Sequence, residues 1–160
     1  MFLNKRKAIF LISIFLLVFL FTVNDIKSQE LKIVDGDTIH LDGEKIRFTG
    51  IDAPELKQTC IKNGNKNFCG VAAKEILIEK ISDNKVECIS EGKDQYKRTL
   101  AECFVNNESL SSYLVRSGYA FAYRRYSKKF VVDEDYAKEK QTGMWAMTFE
   151  YPWDYRKKNN

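Results

Sequence analysis

The chain has 160 residues, enough for one domain of ordinary size and a short additional segment. Its formal net charge is +4, but residues 29–160 hold 22 Lys and Arg against 21 Asp and Glu. This near balance excludes nucleic-acid binding through bulk positive charge, so an anionic ligand would need a local basic cluster or a metal ion.

Residues 1–28 have the pattern of an export signal. Basic residues 5–7 precede a segment from Ala8 to Val23 that is almost entirely apolar. As a helix, these 16 residues would be about 24 Å long, which is short of the roughly 30 Å bilayer core and favours a signal over a stable span. Ser28 is a small residue for cleavage, but no Ala-x-Ala pattern precedes it, so a cleaved signal and an uncleaved anchor both remain open. We expect a secreted, periplasmic or envelope-anchored protein.

The next elements are predicted strands. Apolar residues alternate over residues 31–41, which predicts one strand, and the Asp42-Gly43 turn leads into a returning strand over residues 45–51. Pro54 ends this pair because it has no N–H to donate to a sheet. Two further strands flank a turn at residues 94–97.

Predicted helices follow or interrupt these strands. Ala73, Ile76, Leu77 and Ile81 share one helical face, which predicts a helix over residues 71–81. Helices are also predicted over 109–118 and 132–142, each closed by glycine. This order gives an α+β class, in which a small closed barrel carries about three helices. We divide the chain into the signal or anchor (1–28), the folded domain (29–148) and an aromatic and basic tail (149–160).

Four cysteines in an exported chain of this size predict two disulfides. If the hairpin around the 94–97 turn is symmetric, Cys88 lies directly opposite Cys103 in bridging position. Cys60 and Cys69 then form the second pair. The alternative, a zinc site of four thiolates, is disfavoured by the long spacings and the absence of C-x-x-C.

Several ionisable residues stand where a strand pattern would place apolar ones. Asp35 and Asp37 share the parity of the apolar residues around them, so an extended chain would aim both carboxylates at the core. Such carboxylates must be paired, hydrogen-bonded or metal-bound, because an isolated buried charge costs several kcal/mol or more. Oxygen ligands of this kind suit calcium or magnesium. The other residues of this set are Arg47, Asp52, Glu55 and Arg98.

Three motifs in register give a resemblance to a known family. "VDGDT", "IRFTGIDAPE" and "DQYKR", followed by "LVRSGYA" and "GMWA", resemble the staphylococcal nuclease (thermonuclease) family from about Leu31 to Trp145. The resemblance implies a five-stranded OB-fold barrel with three helices. It also implies a calcium-dependent nuclease that acts on DNA and RNA.

The resemblance assigns roles to individual residues. Asp37, Asp52 and the backbone carbonyl of Ala53 would bind Ca²⁺. Asp35 would support this site, either directly or through a water molecule. Glu55 would activate or orient the attacking water. Arg47 and Arg98 would hold the scissile phosphate, since the planar guanidinium fork can donate two parallel hydrogen bonds. Tyr96 would lie beside the nucleotide, and either Tyr123 or Tyr126 would be the second tyrosine there.

Arg47 and Asp52 face opposite ways on a regular strand because they are five residues apart. Both can reach one site only if the chain bends between them, and we predict a bulge or bend at Gly50.

The leading hypothesis is therefore an exported hydrolase that cleaves phosphodiester bonds with little sequence preference. The alternative is a non-catalytic OB-fold module that binds nucleic acid, which would not need all five ionisable residues of the predicted catalytic set. A third hypothesis, a calcium-stabilised interaction domain at the cell surface, does not explain the two arginines. We expect DNA and RNA as partners, membrane contact only through an uncleaved N-terminal segment, no protein partner, and a monomer.

Overall fold

The computed structural model describes residues 28–159. Apart from Ser28, the predicted export signal or anchor lies outside the described residues. Within residues 28–159, no helix has both the length and the apolar character that a membrane span requires.

Ten short strands are interspersed with the helices within residues 28–159. The strands are β1 (Leu31–Ile33), β2 (Thr38–Leu41), β3 (Glu44–Phe48), β4 (Ile51–Asp52), β5 (Cys60–Lys62), β6 (Asn65–Asn67), β7 (Glu87–Lys93), β8 (Thr99–Val105), β9 (Glu108–Ser109) and β10 (Phe121–Ala122). The main sheet has the order β1–β2–β3–β8–β7, with β9 paired to β8. Its pairs are antiparallel except β3 and β8, which run parallel.

The helices are α1 (Cys69–Ile81), α2 (Leu110–Arg116), α3 (Val131–Lys140), a 3₁₀ turn (Gly143–Ala146) and α4 (Pro152–Asn159). The first three correspond to the predicted helices, and the α+β class is confirmed. The fourth was not predicted, because the tail was interpreted as a separate aromatic and basic segment.

The prediction of a closed barrel is not supported by the strand pairing of residues 28–159. The main path ends at β1 and β7, while β4 pairs with β10 in a separate two-stranded sheet. The chain bends between β3 and β4 at Gly50, whose φ is +71°. Pro54 follows β4 and cannot donate to a ladder, so β4 is confined to two residues and does not extend the main sheet.

The single strand predicted over residues 31–41 is wrong. β1 and β2 form an antiparallel hairpin with Ile33 opposite Ile39, and residues 34–37 are the connecting loop. The Asp35 carboxylate accepts a hydrogen bond from the backbone N–H of Asp37 at 3.0 Å, a local interaction that competes with extended structure. Because five residues lie between the paired Ile33 and Ile39, facing residues have the same parity and the alternation of apolar residues continues in phase across the turn.

Two apolar clusters stabilise the part of the chain that the structure describes. The main cluster lies between the large sheet and the helices α1 and α2, and it includes the fully buried Leu77 and Leu114. The second cluster surrounds the buried Phe121 and Met144 and is covered by aromatic residues of the C-terminal segment.

The structure contains both predicted disulfides. Cys60 is joined to Cys69 beside the second cluster. Cys88 is joined to Cys103 across β7 and β8, where the two residues are in direct register.

Gly50→Ala is expected to lower the free energy of unfolding by about 1–3 kcal/mol more than Gly43→Ala does. Both glycines have positive φ, +71° and +83°, so backbone strain is common to the two variants. A Cβ at Gly50 would lie 3.0 Å from the Phe130 ring and 3.1 Å from Ser127 Cβ, whereas nothing lies within 4 Å of a Cβ at Gly43. Urea unfolding measures the difference, and equal losses would contradict a packing role for Gly50.

Candidate active site

Two buried carboxylates form the centre of the candidate site. Asp37 ends the loop before β2 and Asp52 ends β4, and their side chains are only 3% and 0% exposed. The backbone N–H of Ala53 donates to Asp37 Oδ2 at 2.7 Å, and the N–H of Phe48 donates to the Asp37 carbonyl at 2.9 Å. These bonds hold the loop against the ends of β3 and β4.

Arg47 on β3 bridges the two carboxylates. Its Nη1 donates to Asp37 Oδ1, and its Nη2 donates to Asp52 Oδ1 at 2.7 Å. The bend in the chain at Gly50 lets Arg47 and Asp52 meet despite their five-residue separation. The resemblance assigns Arg47 to the phosphate, whereas in this structure its guanidinium contacts the carboxylates.

Glu55 lies beside this cluster but remains accessible, with its side chain 42% exposed. Its backbone is held in a turn, because Gln58 N–H donates to the Glu55 carbonyl at 2.7 Å and Gln58 Oε1 accepts from the Glu55 N–H at 3.2 Å. This turn packs directly on the start of α1. A Cβ at Gly70 would lie 1.8 Å from the Glu55 carbonyl oxygen, so only glycine permits this approach.

Arg156 of α4 also lies in the site, although the sequence motifs do not indicate it. Its Nη2 donates to Asp52 Oδ2 at 2.6 Å, and its Nη1 donates to Glu55 Oε1 at 2.8 Å. Pro152 at the first position of a helix is a recognised start signal and could have predicted α4. Nothing in the sequence indicates that this helix packs beside residues about 100 positions earlier.

The electrostatics of the cluster reflect its burial. Burial raises the pKa of Asp52, an effect that the hydrogen bond from Arg156 and the charge of Arg47 only partly offset. Burial and the neighbouring Asp37 raise the pKa of Asp35 to about 6. With every group ionised, the four carboxylates and two guanidinium groups have a formal charge of −2, which one divalent cation would neutralise. The four acids are Asp35, Asp37, Asp52 and Glu55.

The donor chemistry of the cluster fits a hard cation, because Asp37 and Asp52 supply carboxylate oxygens that one guanidinium already brings together. The two arginines occupy several of these oxygens, so a metal ion would have to share them. Across residues 28–159, no group of three or more His, Cys, Asp or Glu side chains is arranged as metal ligands.

Arg98 is not joined to the carboxylates by any hydrogen bond or ion pair among the described residues. Its Nε donates to Asp94 Oδ2 at 2.7 Å, within the turn between β7 and β8. No hydrogen bond described for residues 28–159 uses its two Nη groups, so the fork is available to a ligand. Tyr96 lies next to it, with Arg98 Cζ 5.6 Å from the centre of the tyrosine ring.

The three candidate tyrosines differ in their surroundings. Tyr96 and Tyr126 are largely exposed, at 72% and 71%. Tyr123 is half-buried and stacks on Trp153 of α4, with ring centres 5.6 Å apart and planes within 4°. Tyr123 and Tyr126 also meet edge to face, with ring centres 4.9 Å apart. A nucleotide base could therefore stack on Tyr123 only on the face away from Trp153.

Comparison with known proteins defines the family. The family model "Staphylococcal nuclease homologue" matches residues 45–147, which is more than half of the chain. The chain therefore belongs to the staphylococcal nuclease family, and this membership supports a nuclease function in general.

Several relatives have matching names. An "Uncharacterized endonuclease" of Haemophilus influenzae is 31% identical over 143 residues, covering 81% of this chain and 75% of that protein. "Endonuclease YhcR" of Bacillus subtilis is 32% identical over 148 residues, covering 78% of this chain but 12% of that protein. "Probable staphylococcal-like nuclease CAN3" of Oryza sativa is 30% identical over 116 residues, covering 71% and 28%. The chain thus spans only a minor part of the last two proteins.

Asp35→Asn is expected to stabilise the metal-free protein at pH 7 by about 1–3 kcal/mol. The pKa of Asp35 is about 6 in the folded protein, against about 3.9 for an unfolded aspartate. Between these values the folded protein keeps a proton that the unfolded chain has lost, so the free energy of unfolding falls as pH rises. The asparagine removes this proton equilibrium and retains an oxygen for the Asp37 N–H.

Urea unfolding at pH 4 and pH 7 in the presence of a chelator measures this effect. The exposed Asp83→Asn variant is the control for loss of one surface carboxylate. The same pH dependence in Asp35→Asn and in the unaltered protein would contradict the raised pKa.

Proposed function

We propose that this chain is an exported, calcium-dependent nuclease that hydrolyses phosphodiester bonds of DNA and RNA with little sequence preference, leaving 3′-phosphate ends. One observation carries this proposal: the buried carboxylates of Asp37 and Asp52 lie directly beside an accessible carboxylate, Glu55, in one cluster with two arginines. The family and the names of its relatives support the reaction class. Export rests on the basic and apolar pattern of residues 1–28.

Asp37, Asp52 and the Ala53 carbonyl are the groups that would hold calcium. When bound, calcium would supply a positive centre that offsets the charge developing on the phosphate oxygens. The burial of both aspartates keeps water from competing for their oxygens and makes their interaction with a cation stronger than it would be at the surface. Asp35 orients the loop through its bond to the Asp37 N–H.

Glu55 would accept the proton of the attacking water. A general base must be both accessible and fixed in position, and the Glu55 side chain is partly exposed while its backbone is locked by Gln58 and Gly70. Arg98 would hold the phosphate, because its Nε bond to Asp94 fixes the guanidinium and leaves both Nη groups to donate. Arg47 would contribute positive charge beside the same phosphate while it orders the two aspartates.

Glu55→Gln and Arg98→Ala are each expected to lower the rate of cleavage of single-stranded DNA about 10²–10³-fold in the presence of calcium. The first substitution removes the proton acceptor without changing shape, and the second removes the phosphate fork. Chelation of calcium is expected to abolish cleavage by the unaltered protein. Fluorescence of a doubly labelled oligonucleotide measures the rate.

Glu87→Gln is the control, because this glutamate is exposed and paired with Lys85 at the surface. Cleavage that persists in chelator would contradict the calcium requirement. Full activity in both site variants would contradict the assigned residues, and binding without any cleavage would favour the alternative of a nucleic-acid-binding module.

A further inference from the structure

The C-terminal helix α4 brings a third arginine into the candidate site. Arg156 Nη2 and Nη1 lie 2.6 and 3.2 Å from the two oxygens of Asp52, and Nη1 also lies 2.8 Å from Glu55 Oε1. One planar group therefore contacts both a candidate metal ligand and the candidate base. The hydrogen bonds to Asp52 and Glu55 outweigh the burial of the guanidinium and raise the pKa of Arg156, so its charge is constant.

Packing of the C-terminal segment fixes the position of this arginine. Gln58 is fully buried and links the Glu55 turn to this segment through a 2.6 Å bond from its Nε2 to the Glu150 carbonyl. The backbones of Ile61 and Thr148 exchange two hydrogen bonds of 2.9 Å. Trp153 stacks between Tyr123 and Tyr151, with ring planes within 4° and 10° of theirs. These contacts leave α4 little freedom relative to the site.

The geometry of Arg156 is compatible with two roles, and the charges of the cluster distinguish them. The guanidinium could hold Asp52 and Glu55 at a fixed separation, or it could occupy the site in place of the metal ion. The first role agrees better with the charges. Without Arg156 the acidic cluster and Arg47 would have a formal charge of −3, which one divalent cation leaves unbalanced. With Arg156 the charge is −2, which one divalent cation balances.

We propose that Arg156 is a positioning residue of the active site, which holds the Glu55 and Asp52 carboxylates in the relative arrangement that phosphodiester hydrolysis requires. This inference rests on the proposed nuclease function. If Arg156 has this role, α4 is part of the catalytic domain, and the residues required for activity extend to position 156.

The test uses the full chain with Arg156→Ala, and with Lys157→Ala as the matched control. Lys157 lies on the same helix, pairs with Asp154 and is largely exposed. At saturating calcium, Arg156→Ala is expected to lower kcat for single-stranded DNA about 10–100-fold with little change in KM. Lys157→Ala is expected to retain the unaltered kcat.

Two further measurements separate positioning from other roles. Methylguanidinium added at non-denaturing concentration is expected to restore part of the kcat of Arg156→Ala, because it can enter the space of the missing fork. Titration calorimetry with Ca²⁺ is expected to show that Arg156→Ala still binds the ion, so the loss of kcat occurs in the metal-bound protein.

Each opposite result overturns the inference. A higher kcat with tighter calcium binding in Arg156→Ala would show that Arg156 blocks the metal site. Loss of calcium binding would place its role in metal retention, and a loss of kcat without rescue would make it purely structural. If Glu55→Gln lowers the cleavage rate as expected while Arg156→Ala retains the unaltered kcat, only this inference fails. If Glu55→Gln itself retains full activity, the proposed function fails first.

Discussion

The carboxylate of Asp52 is shared by two guanidinium groups, and the arrangement of the site depends on this interaction. Burial of an ionised carboxylate is costly unless opposite charge and hydrogen bonds compensate it. Here the compensation comes from Arg47 on the main sheet and Arg156 on α4, which approach from different parts of the chain. The same carboxylate therefore draws together β3, β4 and the C-terminal helix. Glu55 joins the group through Arg156 and completes a cluster in which each charge constrains the next.

The ionisable residues meet because regular structure is interrupted at three points. The four-residue loop between β1 and β2 places Asp37 at the end of the sheet, and the positive φ of Gly50 turns the chain between Arg47 and Asp52. Gly70 lets the Glu55 backbone lie against the start of α1. A continuous strand would separate these side chains onto opposite faces. The departures from regular geometry are thus what create the site, as is common beside functional centres.

Local patterns in the sequence predict much of this molecule. Helical spacing predicts α1. Hairpin symmetry predicts correctly that Cys88 faces Cys103, although the hairpin itself is not symmetric, because its register shifts by one residue between Ser90 and Gly92. Parity identifies the buried carboxylates as unusual. It also predicts one strand where the chain forms a hairpin, because an odd number of residues between the paired Ile33 and Ile39 preserves the alternation. Closure of a barrel and the contact of Arg156 with Asp52 depend on pairing between distant segments, which no local pattern contains. The second of these joins residues 104 positions apart.

Burial of an acid does not by itself mark the functional site. Four acidic residues are buried within the described part of the chain, and two of them, Glu102 and Glu134, lie elsewhere. Glu134 is compensated by Arg124 at 2.5 Å and Lys138 at 2.7 Å, and Glu102 by Lys129 and the Ser109 hydroxyl. In those two places the cations equal or exceed the carboxylates. Around Asp37 and Asp52 the two arginines balance the two buried acids, and the half-buried Asp35 and partly exposed Glu55 add two further carboxylates. This surplus of negative charge supports the proposed divalent cation and distinguishes the cluster from the two structural ion pairs.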